Sequence, residues 1–231
     1  MARQSRAESI AEGVTVRYEN GNTVIEAEGV SAHASTLELG VSAVIRLLLV
    51  VRDLKIGGDF QKLADFVCDQ IGTQTNGESL GIHRTDPEMG ATTVNLGMIA
   101  FSNEEMFFNL DIRYPRNCTP ELVHERLGAA LEQYGLELLE ERVTPYLYVE
   151  KNSSLVKSLM GVYREFTGRA DAPLAIGGGT YAKIFPNMVA FGPVFPGEPE
   201  MAHHANEYIQ VDRLLQSAKM TAAAIYTLAN Q

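Results

Sequence analysis

The stretch MFFNLDIRYP, which begins at Met106, is the tightest constraint on this chain. Met106, Phe108, Leu110 and Ile112 alternate with Phe107, Asn109, Asp111 and Arg113, and Pro115 follows closely. A period of two puts the first set on one face of a strand and the second set on the other. One apolar face and one mixed face suit an antiparallel sheet covered on one side. TTVNLGMIAF, just upstream, supplies a preceding strand. GVTVRYENGNTVIEAEG supplies a hairpin: Val14, Val16 and Tyr18 alternate, Asn20-Gly21 favours the two positive φ angles of a tight turn, and Val24 to Ala27 return.

The covering elements are legible too. Val44, Leu47, Leu48 and Val51 share one face of a helix over about 40–54, and Gly57-Gly58 breaks it. Leu63, Phe66, Val67 and Gln70 space a second helix over about 60–71. Residues 73–90 are polar and rich in turn formers. Thr119 is placed to cap a helix with Pro120 in its first turn, running to about Tyr134. A strand is expected over Leu136 to Val143. The order ββααββαβ predicts an α+β fold, an antiparallel sheet with helices on one face.

The character changes after Pro145. NSSLVKSLMGVYREFTG reads as an amphipathic helix ending at Gly168. PLAIGGGTYAK reads as a short strand entering a glycine loop, NMVAFGPVF as a buried apolar strand, and VDRLLQSAKMTAAAIYTLAN as a closing helix. The expectation is two parts, 1–145 as an α+β domain and 146–231 as a portion of an α/β domain. A length of 231 residues accommodates both. There is no internal repeat.

Composition narrows the classes of function. A net charge of -10 speaks against a nucleic-acid partner and is compatible with a small-molecule or peptide substrate. Cys68 and Cys118 form no CxxC pair and read as free thiols of a reducing compartment. MARQSRAESIAEG has no apolar core of the signal-peptide kind, and AVIRLLLVV is too short to span a bilayer. The expectation is a soluble, cytoplasmic protein with no membrane partner.

Five groups of residues carry candidate chemistry. In EPEMAHHANEYI, adjacent His203 and His204 point to opposite faces if the backbone is extended, so one is a candidate metal ligand and the other a neighbour. Asn206 and Glu207 are placed to orient a ligating imidazole. By itself, such a pair in a loop is more often a surface feature. In GGGTYAK, glycines after a strand let backbone N–H groups approach an anion, with Thr180 adding a hydroxyl donor. The spacing matches neither a Walker loop nor GxGxxG, so a carboxylate guest and a plain tight turn both stand. His33, in the polar loop SAHAST, is placed to donate to a developing oxyanion or to serve no purpose at the surface. Arg113 ends its strand on the non-core face, where it could clamp a carboxylate or pair with Asp111. Glu104-Glu105 and Glu140-Glu141 read as solvated acids.

EGVSAHASTLELGVSAVIRLL, FNLDIRYP and AIGGGTYAKIFPNMVAFGPVFPGEPEMAHHANEYI follow one another in an order that resembles the dinuclear zinc peptidases of the aminoacylase and carnosinase type. The last block is most similar to the bacterial Xaa-His (β-Ala-Xaa) dipeptidase branch. The resemblance covers nearly the whole chain. It implies a catalytic α/β domain holding two zinc ions and an inserted α+β lid closing over a dipeptide. Carried over by motif, His203 corresponds to the last zinc ligand and His204 to a position often filled by Gln. His33 corresponds to the lid histidine that reaches the scissile carbonyl. Arg113 corresponds to a substrate-binding arginine of the lid. Gly178, Gly179 and Thr180 correspond to the loop that receives the substrate's terminal carboxylate.

Departures from that pattern shape the expectation further. The family's HxD motif, bridging Asp, Glu-Glu pair and further acidic ligand precede the lid, and no HxD occurs in this chain. Leu37 stands where Pro is common and Lys183 where Arg is common. The resemblance therefore implies the C-terminal half of a dipeptidase, beginning inside the lid. Such a chain is expected to lack peptidase activity alone and to self-associate through an exposed sheet edge near MVAFGPVF. Two competing readings are a non-enzymatic α+β oligomerisation or peptide-binding module and a related desuccinylase or aminoacylase.

Overall fold

The computed structural model describes residues 12–32, 37–101, 105–199, 201–202 and 206–231. Its first hairpin follows from two residues. Asn20 and Gly21 take φ angles of 51° and 81°, which fold β1 (Val14–Glu19) back onto β2 (Asn22–Ala27) with Glu19 opposite Asn22. A Cβ at Gly21 would meet nothing within 4 Å, so backbone strain alone penalises a substitution there. Gly21→Ala is expected to cost about 1 kcal/mol, read as a shift in the urea midpoint.

Helix α1 (Ala43–Leu54) begins where the Ser42 hydroxyl oxygen accepts the Ile45 N–H at 3.3 Å. It ends at Lys55 in the left-handed region, before Gly57 and Gly58, both at positive φ. Helix α2 (Gly58–Phe66) runs into a π turn, Val67–Ile71, closed by Gly72 N–H to the Val67 carbonyl at 2.7 Å. The wider turn brings Ile71, 3% exposed, into the core at the place that ordinary helical spacing gave to Gln70.

After two short paired segments, β3 (Thr85–Asp86) and β4 (Gly90–Ala91), the strands β5 (Thr93–Phe101) and β6 (Met106–Arg113) pair antiparallel with a bulge between Leu96 and Met98. Helix α3 (Pro120–Gln133) is capped by Thr119, whose hydroxyl oxygen accepts the Leu122 N–H at 3.2 Å. Ile45, Leu48 and Val51 of α1, Leu63 and Phe66 of α2, Val94 and Leu96 of β5, and Val123 and Leu127 of α3 form one buried cluster. Phe108, Leu110 and Ile112 pack on it from β6. The alternation read from the sequence is therefore the alternation observed.

Two expectations for this part are corrected. Among the described residues the strands form three separate two-stranded antiparallel pairs rather than one sheet. Leu136 to Val143 form no strand: the segment finds no strand partner among the described residues, and Leu139 and Val143 are exposed. The β3–β4 turn is held by Asp86. Its carboxylate accepts the Glu88 and Met89 N–H groups at 2.8 and 2.9 Å and the Arg116 Nε–H at 2.8 Å. Those backbone bonds first, then the guanidinium, hold it below the usual carboxylate range. A depressed folded value means that the stabilisation is full above the ordinary Asp pKa and fades as pH falls through the folded one. Asp86→Asn should thus melt below wild type at neutral pH, with the gap closing on acidification.

The chain divides into two compact units, Met1–Thr144 with Ala175–Gly178, and Pro145–Leu174 with Gly179–Gln231. In the second, α4 (Ser154–Thr167) starts at a Ser153 cap and ends at Gly168, φ 66°. It packs with α5 (Val211–Ala229) around Val162, Phe195 and Met220. The strands expected at PLAI and NMVAFGPVF are absent, as is the α/β layer that they would build. These segments are irregular, with Leu174 at 80% and Val194 at 57% exposure. Apolar β-prone residues make a strand only against a partner ladder, and the described residues supply none. There is accordingly no sheet edge at MVAFGPVF. Among the described residues no helix is long and apolar enough to cross a membrane.

Candidate substrate-binding site

Strand β6 carries Asp111 and Arg113 on the face turned away from the core, opposite Asn95 and Thr93 of β5. Being two residues apart on a strand, they are neighbours on one face. Arg113 Nε donates to Asp111 Oδ1 at 3.2 Å and Nη2 donates to Oδ2 at 2.7 Å, a side-on two-point pair. Nη1 donates to the Gly177 carbonyl at 2.6 Å. The sequence left a carboxylate clamp and an Asp111 salt bridge as alternatives; the structure shows the salt bridge and, beside it, a tie to the glycine loop. The arginine side chain remains 27% exposed, so water and small ligands reach it.

Gly177 is the first glycine of the loop GGGTYAK, but the sequence did not join it to Arg113. Its carbonyl partners an arginine 64 residues away, and no local pattern encodes that. Next to it, a Cβ at Gly178 would touch only Ile176 Cδ1, at 3.9 Å, and one at Gly179 would meet nothing within 4 Å. Neither position is crowded on the side where a side chain would stand. Thr180 opens a 3-10 turn, Tyr181–Ile184, its hydroxyl oxygen accepting the Ala182 N–H at 3.2 Å. That bond leaves the hydroxyl hydrogen as a donor.

His33, His203 and His204 lie outside the described residues, as does Glu104. Ahead of the histidine pair, Glu198 accepts the Phe195 N–H at 3.3 Å and pairs with Arg213 of α5 at 2.5 Å, and the guanidinium lies over the Phe195 ring. Asn206 follows the pair at φ 60°. Glu140 pairs with Arg142, and Glu141 with His124, both at 2.7 Å, so the Glu140-Glu141 pair is engaged locally rather than as an acid and base.

No three His, Cys, Asp or Glu side chains among the described residues are grouped to hold a metal. His83 Nδ1 lies 3.2 Å from the Asn76 carbonyl oxygen and His124 Nδ1 lies beside Glu141, and neither ring has two further candidate ligands grouped with it among the described residues. The described residues do not fit a metal centre. Neither thiol is an activated nucleophile: burial pushes Cys68 up to about 11 and raises Cys118 as well.

The profile of the peptidase family M20/M25/M40 matches residues 9–227. Proteins of Staphylococcus aureus strains USA300 and NCTC 8325 / PS 47, each provisionally named a dipeptidase, are 32% identical over 211 residues, covering 91% of this chain and 45% of theirs. A protein of strain MRSA252 with the same kind of name shows the same identity and coverage. The chain spans about half the length of the curated relatives it matches.

Proposed function

Because this chain belongs to the peptidase family M20/M25/M40, we propose that it forms the substrate-recognition part of a zinc-dependent dipeptidase. The observation that carries this reading is the Arg113 guanidinium tied to the backbone at Gly177, next to the open Gly178. A positive fork next to glycine backbone N–H groups is the chemistry that holds a carboxylate. A seat for a terminal carboxylate favours short peptides over long chains, since the carboxylate fixes one end of the substrate in the site. In this reading residues 1–145 act as a lid-type domain and 146–231 as the end of a catalytic domain. In it His33 takes the role of stabilising the oxyanion that develops at the scissile carbonyl and His203 that of a metal ligand, the other ligands coming from polypeptide outside these residues.

The test is a comparison of two ligands. A dipeptide with a free C-terminal carboxylate should shift backbone amide resonances around Gly177 and Gly178 at lower concentration than the same dipeptide with a C-terminal amide. Arg113→Ala should abolish the preference. Equal binding of acid and amide by the wild-type chain would sink the reading.

The same reading assigns the exposed apolar side chains of the second unit, including Met188, Val194, Leu214 and Leu215, to contacts with further polypeptide. The isolated chain is expected to self-associate through them, and light scattering showing a strict monomer at high concentration would count against it.

A further inference from the structure

We infer that Asp111 is the positioning residue for the carboxylate seat: it fixes the Arg113 guanidinium so that its remaining donors face a ligand. The inference rests on the reading of Arg113 and the glycine loop as that seat, and goes beyond it by giving Asp111 a part in recognition. An arginine has five N–H donors. Asp111 takes the one on Nε and one on Nη2, and the Gly177 carbonyl takes one on Nη1. Among the described residues, one N–H on Nη1 and one on Nη2 are left to donate to a carboxylate. A long side chain with one end free would sample many rotamers; held along its Nε–Nη2 side it keeps one plane. The same hold aims Nη1 at Gly177, so the arginine and the start of the glycine loop are assembled before any ligand arrives.

Asp111 also carries a negative charge that opposes an incoming carboxylate. The two effects have opposite signs, and this makes the role testable. Asp111 and Arg113 are part-exposed, at 39% and 27%, so water screens the repulsion, while the geometric hold does not depend on screening.

The experiment measures the acid-over-amide preference of the 231-residue chain for one dipeptide, by titration of the backbone amide resonances, in wild type and in Asp111→Ala, Asp111→Glu and Arg113→Ala. Melting curves confirm that each variant is folded. Asp111→Ala is expected to lower the preference about three- to tenfold, the scale of one or two lost hydrogen bonds. Asp111→Glu, which restores the charge and both acceptor oxygens, should recover most of it. A purely structural role would not move the acid-to-amide ratio in a folded protein. An unchanged or raised ratio in Asp111→Ala, with the preference lost in Arg113→Ala, overturns the positioning role and leaves the seat standing. A ratio unchanged in Arg113→Ala overturns the seat, and the positioning role with it.

Discussion

Phe66→Ala is expected to destabilise the first unit by about 3–5 kcal/mol. Phe66 is fully buried, and its ring lies 5.5 Å from that of Phe108 and 5.7 Å from that of Tyr134. It therefore joins three elements: the end of α2, the inner face of β6 and the end of α3. Removing it deletes the ring's transfer free energy and leaves a cavity walled by Leu63, Val67 and the β6 side chains, all committed to their own neighbours. For a unit of this size the loss corresponds to a fall in melting temperature of roughly 10 °C or more, read by circular dichroism. Phe107→Ala is the matched control. Phe107 is one residue along the strand from Phe108 but 43% exposed on the outer face, and its removal should cost about 0.5 kcal/mol or less. Comparable losses for the two would mean that β6 does not present alternate faces to core and solvent.

That control also shows which information is local. The faces of β6, the Asn20-Gly21 turn, the Thr119 cap and the Gly168 stop are each written in a few adjacent residues, and all four are observed. The π turn at Val67–Ile71 is not, because an apolar series at helical spacing does not say where one residue is squeezed in. The strands expected at 136–143 and within 173–176 and 188–195 failed for another reason. An apolar run states a preference for a ladder, but the partner has to come from elsewhere in the polypeptide. Unpaired, Leu139, Leu174 and Val194 lie exposed in irregular chain. The site divides in the same way. Asp111 and Arg113 were legible as neighbours on one face of a strand. Their tie to Gly177 depends on tertiary folding across 64 residues. His33 and His203 were legible only as parts of motifs, and they lie outside the described residues.

Given zinc and a dipeptide, the purified 231-residue chain should show no hydrolysis above that of its His203→Ala variant. Amide hydrolysis assisted by a metal requires an ion held by about three protein ligands with a coordination position left open. The chain contains five histidines. His83 and His124 lie against other partners, the Asn76 carbonyl and Glu141. His33 is assigned by motif to the substrate carbonyl and His204 to a position often filled by Gln, which leaves His203. One imidazole does not hold a catalytic zinc, and the described residues form no group of three His, Cys, Asp or Glu that could hold one. Without the centre, the rate enhancement of about 10⁶-fold or more that separates an enzyme from water is out of reach. Product formation by chromatography measures this directly, and zinc-dependent turnover above the variant would mean that the chain holds a complete ligand set after all. Binding separates from chemistry in the same preparation. The Arg113 seat is built from a guanidinium, a carboxylate and a backbone carbonyl, none of which needs a metal. A chain that hydrolyses nothing should therefore still prefer the dipeptide acid to its amide, and that preference should survive addition of a chelator.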